Sequence, residues 1–435
     1  MGEILLYLSL IIAACSLLVA PWVAGLAYLV NSLMQPQYIW DWIFSGVPIY
    51  KITAALGVLG LVFASALKKA SFEYWNDKQN LALILLWIWM HLSHLFSPFK
   101  GLPASVSPEI VLSTINSIMI MYFILIPLFY NKRSIIYLCY AFVFVGLYYT
   151  YWANSAYLSQ EWHRFVNGRL VGPNGSPYLD GNVLSTVIIM CLPFIMLLSF
   201  RAKNKLIKIS MLLAIPLAWH AVILFGSRGA LLASIISLLA IAMVIRSKKA
   251  NVAIGVSFAV FMVYQGSLLL TRATDTVDVE VVQSERPINP RLVSWEAGLK
   301  LIPEYPLFGA GVQMFEQATS FHFPGKTPHV AHNTFINFSA NTGLLTGLIF
   351  IGLIFNVWRK FLVLRHFSIS IEDDAYFAFA ASSISIFTFF VSSMFLDLII
   401  FEPFYIALMI NLVSYKQILS DRSSLVKDGV CKAIE

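Results

Sequence analysis

The chain is expected to be all-α: a polytopic membrane bundle of about twelve transmembrane helices, with one long external loop that carries short helices. Three observations predict this. Of its 435 residues, 59% are hydrophobic and only 12% charged, against roughly 45–50% and 25% in soluble domains. Mean hydropathy is +0.77, and apolar runs long enough to cross a hydrocarbon core of about 30 Å recur from end to end. The basic residues, finally, collect in the short segments between those runs. Cys15, Cys139 and Cys191 lie inside apolar runs and Cys431 lies in the polar tail, so no pair has disulfide or metal-ligand spacing. The net charge of +7 is therefore read as topology, and no nucleic-acid partner is expected.

The apolar runs fall near 4–34, 47–67, 80–97, 108–130, 134–152, 178–200, 206–225, 229–246, 251–271, 333–357, 375–396 and 397–415. The first carries Pro21 in its middle and is too long for one straight span, so it is a kinked helix or two half-length helices. It lacks a short signal-peptide pattern with a small-residue cleavage site and is expected to stay as an anchor. The resulting organisation is membrane helices over 1–271, a long external loop over 272–332, further membrane helices over 333–415 and a polar tail over 416–435.

Orientation follows from Lys and Arg, which resist translocation in short loops. Lys68, Lys69 and Lys78, the pair at 132 and 133, the clusters at 201–208, 246–249 and 359–365, and the tail all fall on one side of alternating spans. That side holds 19 of the 29 basic and 9 of the 22 acidic residues, a net +10, and the other carries −3. Both termini are expected in the cytoplasm. The 272–332 loop on the outer side is far longer than connections within bundles, and such loops are usually functional or disordered. Residues 289–302 read as a short amphipathic helix with Asn289 as N-cap, Pro290 at N1, and Leu292, Trp295, Leu299 and Ile302 on one face. It should lie on the membrane face or cap the bundle.

Polar residues at the outward ends of spans are costly unless used, and four outward arginines stand in suggestive contexts. Arg169 lies in a Gly-rich stretch that runs on to Asp180 and Asn182. Arg228 sits in the tight turn Gly226-Ser227-Arg228-Gly229, Arg291 opens the amphipathic helix, and Arg286 precedes it by five residues. A guanidinium is always charged and its planar fork suits phosphate or diphosphate oxygens. The alternative for Arg228 is an interfacial arginine that snorkels to headgroups or pairs with Asp180. A second constellation is Thr327-Pro328-His329-Val-Ala-His332-Asn333, running into a span with Ser339, Gly343 and Gly347 on one stripe. Thr327 and Pro328 suit an N-cap and N1, so the helix should begin there with His332 about one turn inside it. The positive helix end would lower that imidazole's pKa and leave it neutral, fit to accept a proton. His329 and His332 are three apart, but no third ligand stands at metal spacing, and a satisfied interfacial histidine is the alternative. His91 and His94 read as interfacial packing.

Together these residues resemble the O-antigen ligase and polymerase superfamily. The ligase signature, His followed by Asn, Ser or Gln, nine residues, Gly, two residues and then Gly, Thr or Tyr, is met by His332, Asn333, Gly343 and Thr346. Ser227-Arg228-Gly229-Ala230, Arg291 with Trp295, Pro306 to Gly311, and Gly172 to Asn182 are similar to the same family. The last stretch, with Pro36 to Trp42, is similar to the O-glycosylation ligases associated with exosortase systems. This chain has Asp180-Gly181-Asn182 where that subgroup tends to show Asp-Asn-Asn. The resemblance implies transfer of a glycan from undecaprenyl diphosphate to an acceptor hydroxyl at the periplasmic face of a bacterial inner membrane, with inversion and without metal or other cofactor. It implies His332 as base and Arg228, Arg291 and Arg169 as diphosphate ligands, with Asn333, Asp180, His329 and Arg286 in support. The acceptor would be lipid A-core, a second lipid-linked glycan, as in a polymerase, or a protein. A transporter of lipid-linked glycans is the reading from another class; it would call for midplane polar groups on broken helices.

Overall fold

The computed structural model describes residues 2–44, 46–245, 247–264, 290–324, 330–367 and 369–427. The first apolar run is two helices, α1 (Gly2–Ser16) and α2 (Trp22–Met34). Pro21 supplies no N–H to continue the ladder, and the carbonyl of Val19 in the break accepts a bond of 2.8 Å from Lys69 Nζ. Two short turns, α3 (Pro36–Ile39) and α4 (Asp41–Phe44), lead to α5 (Ile49–Ala66). Next come α6 (Lys78–Leu95), α7 (Pro108–Leu125) and α8 (Lys132–Leu158), the last opened by a capping box in which Asn131 and Ser134 bond each other's backbone. A two-stranded hairpin, β1 (Phe165–Val166) and β2 (Arg169–Leu170), precedes α9 (Gly181–Arg201), α10 (Lys205–Phe225), α11 (Arg228–Val244) and α12 (Lys248–Tyr264).

Beyond these lie α13 (Pro290–Leu301), α14 (Phe315–His322), α15 (Thr334–Thr342), α16 (Leu344–His366), α17 (Asp374–Ser393) and α18 (Glu402–Lys427). The all-α class is the observed one. Among the described residues seven helices, α5, α7, α8, α9, α10, α16 and α17, are long and apolar enough to cross a membrane, and shorter apolar helices lie within α1, α2, α11 and α12. The expected crossings at 4–34, 229–246 and 251–271 correspond to those shorter helices. α17 is buried along almost its whole length and packs against α8, α9, α11, α16 and α18, which makes it the axis of the bundle.

One end of the bundle is tied by ions. Lys132 bridges Asp373 at 3.0 Å and Asp421 at 2.7 Å, Arg201 pairs with Asp374, and Lys416 meets Asp77 at 3.2 Å. These contacts join the ends of α6, α8, α9, α17 and α18. They also hold the start of the polar tail: α18 runs on to Lys427, with Lys416 paired to Asp77 and Asp421 to Lys132.

The expected span at 333–357 is broken. α15 ends at Thr342, Gly343 turns with φ 93° and ψ 155°, and α16 starts anew at Leu344. The polar groups freed at the break are taken up by the segment Pro306–Gly311. Ala310 N–H donates to Ala340 O and Gly311 N–H to Asn341 O, both at 2.8 Å, while Leu344 N–H donates to Pro306 O at 3.0 Å. A Cβ at Gly343 would collide with the carbonyl oxygen of Leu307. Ser339, Gly343 and Gly347 therefore do not form a stripe on one helix, as the sequence pattern suggests.

Gly343→Ala should destabilise the protein by about 3 kcal/mol, since it adds a steric clash to a left-handed φ. Thermal unfolding of the purified protein in detergent measures this, and an unchanged midpoint would contradict the packing described.

Candidate functional site

The hairpin places the first arginine. Asn167 and Gly168 have φ of 50° and 70°, the pair of positive values that a two-residue type I′ turn requires. Leu170 points into the core at 1% exposure, so Arg169, its neighbour, projects the other way. The stem of Arg169 lies over Gly226: a Cβ there would stand 3.1 Å from Arg169 Cγ and Cδ. Gly226, with φ 68°, caps α10. Ser227 then caps α11, its Oγ accepting from Ala230 N–H at 3.3 Å. Arg228 is thus the first residue of a helix, where the sequence suggested a turn. α9 starts beside it, with Asp180 Oδ1 accepting from the Asn182 N–H at 2.8 Å and from Asn182 Nδ2 at 3.0 Å. The positive ends of two helices point into this corner.

The third arginine arrives on α13. The expected cap Asn289 and the candidate Arg286 lie outside the described residues, and Pro290 opens the helix. The buried face is Ser294, Ala297 and Leu301, whereas Leu292 and Leu299 are each 55% exposed. The apolar face expected from the sequence, Leu292, Trp295, Leu299 and Ile302, is the opposite flank: Trp295 and Ile302 are half-buried and the two leucines are exposed. Small residues let α13 dock closely on an apolar cluster that includes Phe315, Ile336 and Ala340.

Arg169, Arg228 and Arg291 line one cavity of about 170 Å³, together with Asn182, Ser227 and Phe395. It adjoins an apolar cavity of about 350 Å³, lined by Leu232, Leu292, Trp295 and Phe395, with Arg228 and Arg291 shared by both. Burial lowers the pKa of Arg291, the neighbouring charges of Arg169 and Arg228 lower it further, and Asp180 opposes them. Three cations around a small cavity at two helix N-termini are an arrangement that favours an anion.

His332 stands next to this site and not on its wall. α15 begins at Thr334, with Asn333 as N-cap accepting from Ile336 N–H at 3.1 Å. His332 therefore precedes the helix, which corrects the expectation that it sits a turn inside one begun at Thr327 and Pro328. Those two residues and His329 lie outside the described residues. The backbone of His332 is left-handed, φ 50°. Its N–H donates to Asp397 Oδ2 at 3.0 Å, and its carbonyl accepts from Trp295 Nε1 at 3.3 Å. Asp397 Oδ1 accepts from Asn337 Nδ2 at 3.0 Å. The same loop between α17 and α18 is laced down by Thr334, whose hydroxyl donates to Leu396 O at 2.7 Å and accepts from Leu398 N–H at 3.0 Å, and by Asn333 Nδ2 donating to Met394 O at 3.2 Å.

Burial lowers the pKa of His332; the Asp397 charge works against this and Arg291 with it. The neutral imidazole expected from the sequence is favoured, chiefly by burial. Burial raises the pKa of Asp397, while the hydrogen bonds from His332 and Asn337 pull it down. Asp397 is the residue the sequence reading missed. Its signal was a single carboxylate within Phe395-Leu396-Asp397-Leu398-Ile399, since an isolated charge in apolar surroundings at a span end requires a partner. Asp180 is close enough to act electrostatically on both Arg291 and His332. Asn333 has a structural part as a cap. His91 and His94 are elsewhere, His91 bonded to Asn116 at 2.7 Å and His94 4.0 Å from Glu109.

Residues 212–351, a stretch containing Arg228, Arg291, His332 and Gly343, match the O-antigen ligase family. The match supports membership of the O-antigen ligase superfamily and, in general terms, glycosyl transfer of the ligase or polymerase type. No curated protein matches the chain.

Inorganic pyrophosphate should raise the thermal midpoint of the protein, because a ligand at a hundredfold its Kd adds about 2.7 kcal/mol. Arg291→Gln should lose most of that shift. Equal shifts in both proteins, read by differential scanning fluorimetry, would remove Arg291 from the anion site.

Proposed function

We propose that the protein transfers a glycan from a polyprenyl diphosphate, undecaprenyl diphosphate in a bacterial inner membrane, to an acceptor hydroxyl at the periplasmic face. The observation that carries this reading is the cavity shared by Arg169, Arg228 and Arg291 beside a half-buried histidine held by a carboxylate. The diphosphate lies between the three guanidinium groups, and the first isoprene units occupy the adjoining apolar cavity along Leu232, Leu292 and Trp295. Diphosphate is already a good leaving group. The site's main tasks are to stabilise the charge that develops as the glycosidic C–O bond breaks, to align the acceptor and to take its proton. His332, neutral at the start, accepts the hydroxyl proton as the oxygen attacks the anomeric carbon from the opposite face, which inverts it. Asp397 keeps the histidine's backbone in place and its charge favours the imidazolium that forms.

The end tied by Lys132, Arg201 and Lys416 is assigned to the cytoplasm by its positive charge, so the C-terminal helix ends there and the arginine cavity opens to the periplasm. Acceptors that fit are lipid A-core, a second lipid-linked glycan or a protein hydroxyl. Purified lipid-linked oligosaccharide separates them: elongated lipid-linked product marks a polymerase, and glycan on core lipid or protein marks a ligase.

His332→Ala should abolish transfer and keep donor binding, and full transfer by this variant would overturn the assignment. Arg228→Ala should weaken donor affinity or slow turnover in a donor titration. Because transfer needs neutral His332, activity is lost as pH falls through its pKa, and burial puts that limb below the ordinary 6.5. Asp397→Asn removes a charge that raises this pKa, so the acid limb should move to still lower pH while maximal turnover falls. A limb displaced to higher pH in that variant would contradict the electrostatics described.

A further inference from the structure

α13 joins the two halves of the site. Arg291 lies in its first turn and borders the anion cavity, and Trp295 follows one turn later on the same flank. The indole N–H of Trp295 donates to the carbonyl of His332 at 3.3 Å, and its ring lies 6.2 Å from that of Phe395, a wall of the anion cavity. His332 has a main-chain bond on each side. Asp397, on the loop attached to the buried axis α17, holds its N–H, and Trp295 holds its carbonyl. One anchor belongs to the core and the other rides on the helix that carries a donor ligand.

We propose that Trp295 is a positioning residue that makes the orientation of His332 depend on occupancy of the arginine cavity. The proposal rests on the transfer reading above. Without an anion, the charges of Arg169 and Arg228 act against that of Arg291, and Asp180 offsets them in part. A diphosphate adds a strong attraction and draws the first turn of α13 inward. α13 moves as a unit, since Ser294, Ala297 and Leu301 are buried along one face, so the displacement reaches Trp295 and through its N–H the carbonyl of His332. The base is set for proton transfer when the leaving group is in place, and an acceptor alone does not set it.

The test is Trp295→Phe in the full-length protein, which removes the donor N–H and keeps a ring against Phe395. Three readouts are compared with the wild type: affinity for inorganic pyrophosphate, donor kinetics, and amide hydrogen exchange with and without pyrophosphate. Pyrophosphate should slow exchange in the peptide spanning 330–336 of the wild type. In Trp295→Phe its affinity should stay within about twofold and kcat should fall about five- to tenfold, the size of one lost hydrogen bond, with donor KM unchanged. The pyrophosphate-induced protection at 330–336 should disappear, and unchanged exchange within α17 would show that the variant is folded. Retention of wild-type kcat and protection would overturn the proposal. So would a loss of pyrophosphate affinity in proportion to kcat, which would make Trp295 a support for α13 only, or the absence of protection in the wild type. Failure of the transfer reading is seen separately, as full transfer by His332→Ala, and the exchange measurement still decides the coupling because it needs no turnover.

Discussion

A helix interrupted inside a packed bundle must have its freed N–H and C=O groups satisfied by protein, since each buried orphan costs several kcal/mol. The break at Gly343 imposes that constraint, and the site is built on its solution. The carbonyls of Ala340 and Asn341 are taken by Ala310 and Gly311, and Pro306 accepts from Leu344. The backbone that closes the break is therefore the segment directly after α13. Trp89 on α6 and Ser97 just beyond its end brace it in turn, Ser97 Oγ donating to Ala310 O at 2.6 Å and Trp89 Nε1 to Leu307 O at 2.9 Å. Arg291 reaches the anion cavity because the chain on its C-terminal side is fixed to the broken helix.

The same architecture explains how three like charges coexist. Arg169 is held by a hairpin turn and by the surface of Gly226, Arg228 by the Ser227 cap of a helix, and Arg291 by a docked helix whose small residues sit against the apolar cluster. None of the three positions depends on the others, so the backbone can hold the guanidinium groups close together despite their repulsion. Packing within α9, α11 and α17 and the ion pairs at the far end of the bundle stabilise the frame. What the frame provides is proximity: three guanidinium groups border one small cavity, and charges held together by the fold favour a developing negative charge.

The fold class was legible in the sequence because membrane solvation is a harsh filter and long apolar runs mark helices. The sequence also singled out Arg169, Arg228 and Arg291, which the structure brings to one cavity. The break at Gly343 was not legible, because Thr334 to Val357 is apolar enough throughout to read as one span and the groups that repair the break are some thirty residues earlier. Which face of α13 docks was not legible either. A pattern of large apolar residues marks Leu292 and Leu299, whereas close docking selects small ones, Ser294 and Ala297. Asp397 escaped notice because its partners, His332 and Asn337, are sixty or more residues away in sequence. The helical tail was hidden likewise, since Lys416 and Asp421 look solvated until Asp77 and Lys132 are placed beside them.

The spacing between His332 and Thr346 now has a physical meaning. Asn333 caps α15, the nine residues from Thr334 to Thr342 are α15, Gly343 is the break, and Thr346 is the lock beyond it. Its hydroxyl donates to Gly343 O at 2.7 Å and to Phe338 O at 3.0 Å and meets the Thr342 hydroxyl at 2.7 Å. Nine helical residues span about 13 Å, and each residue turns the helix by about 100°. One residue more or fewer would swing Asn333 and His332 through that angle about the axis while the lock at the other end stayed in place. His332 would then lose Asp397 on one side and Trp295 on the other. The interval is thus a ruler that fixes both the distance and the rotation of the His332 backbone relative to a buried reference point, and the left-handed residue at His332 is where the chain turns into the cap of α15.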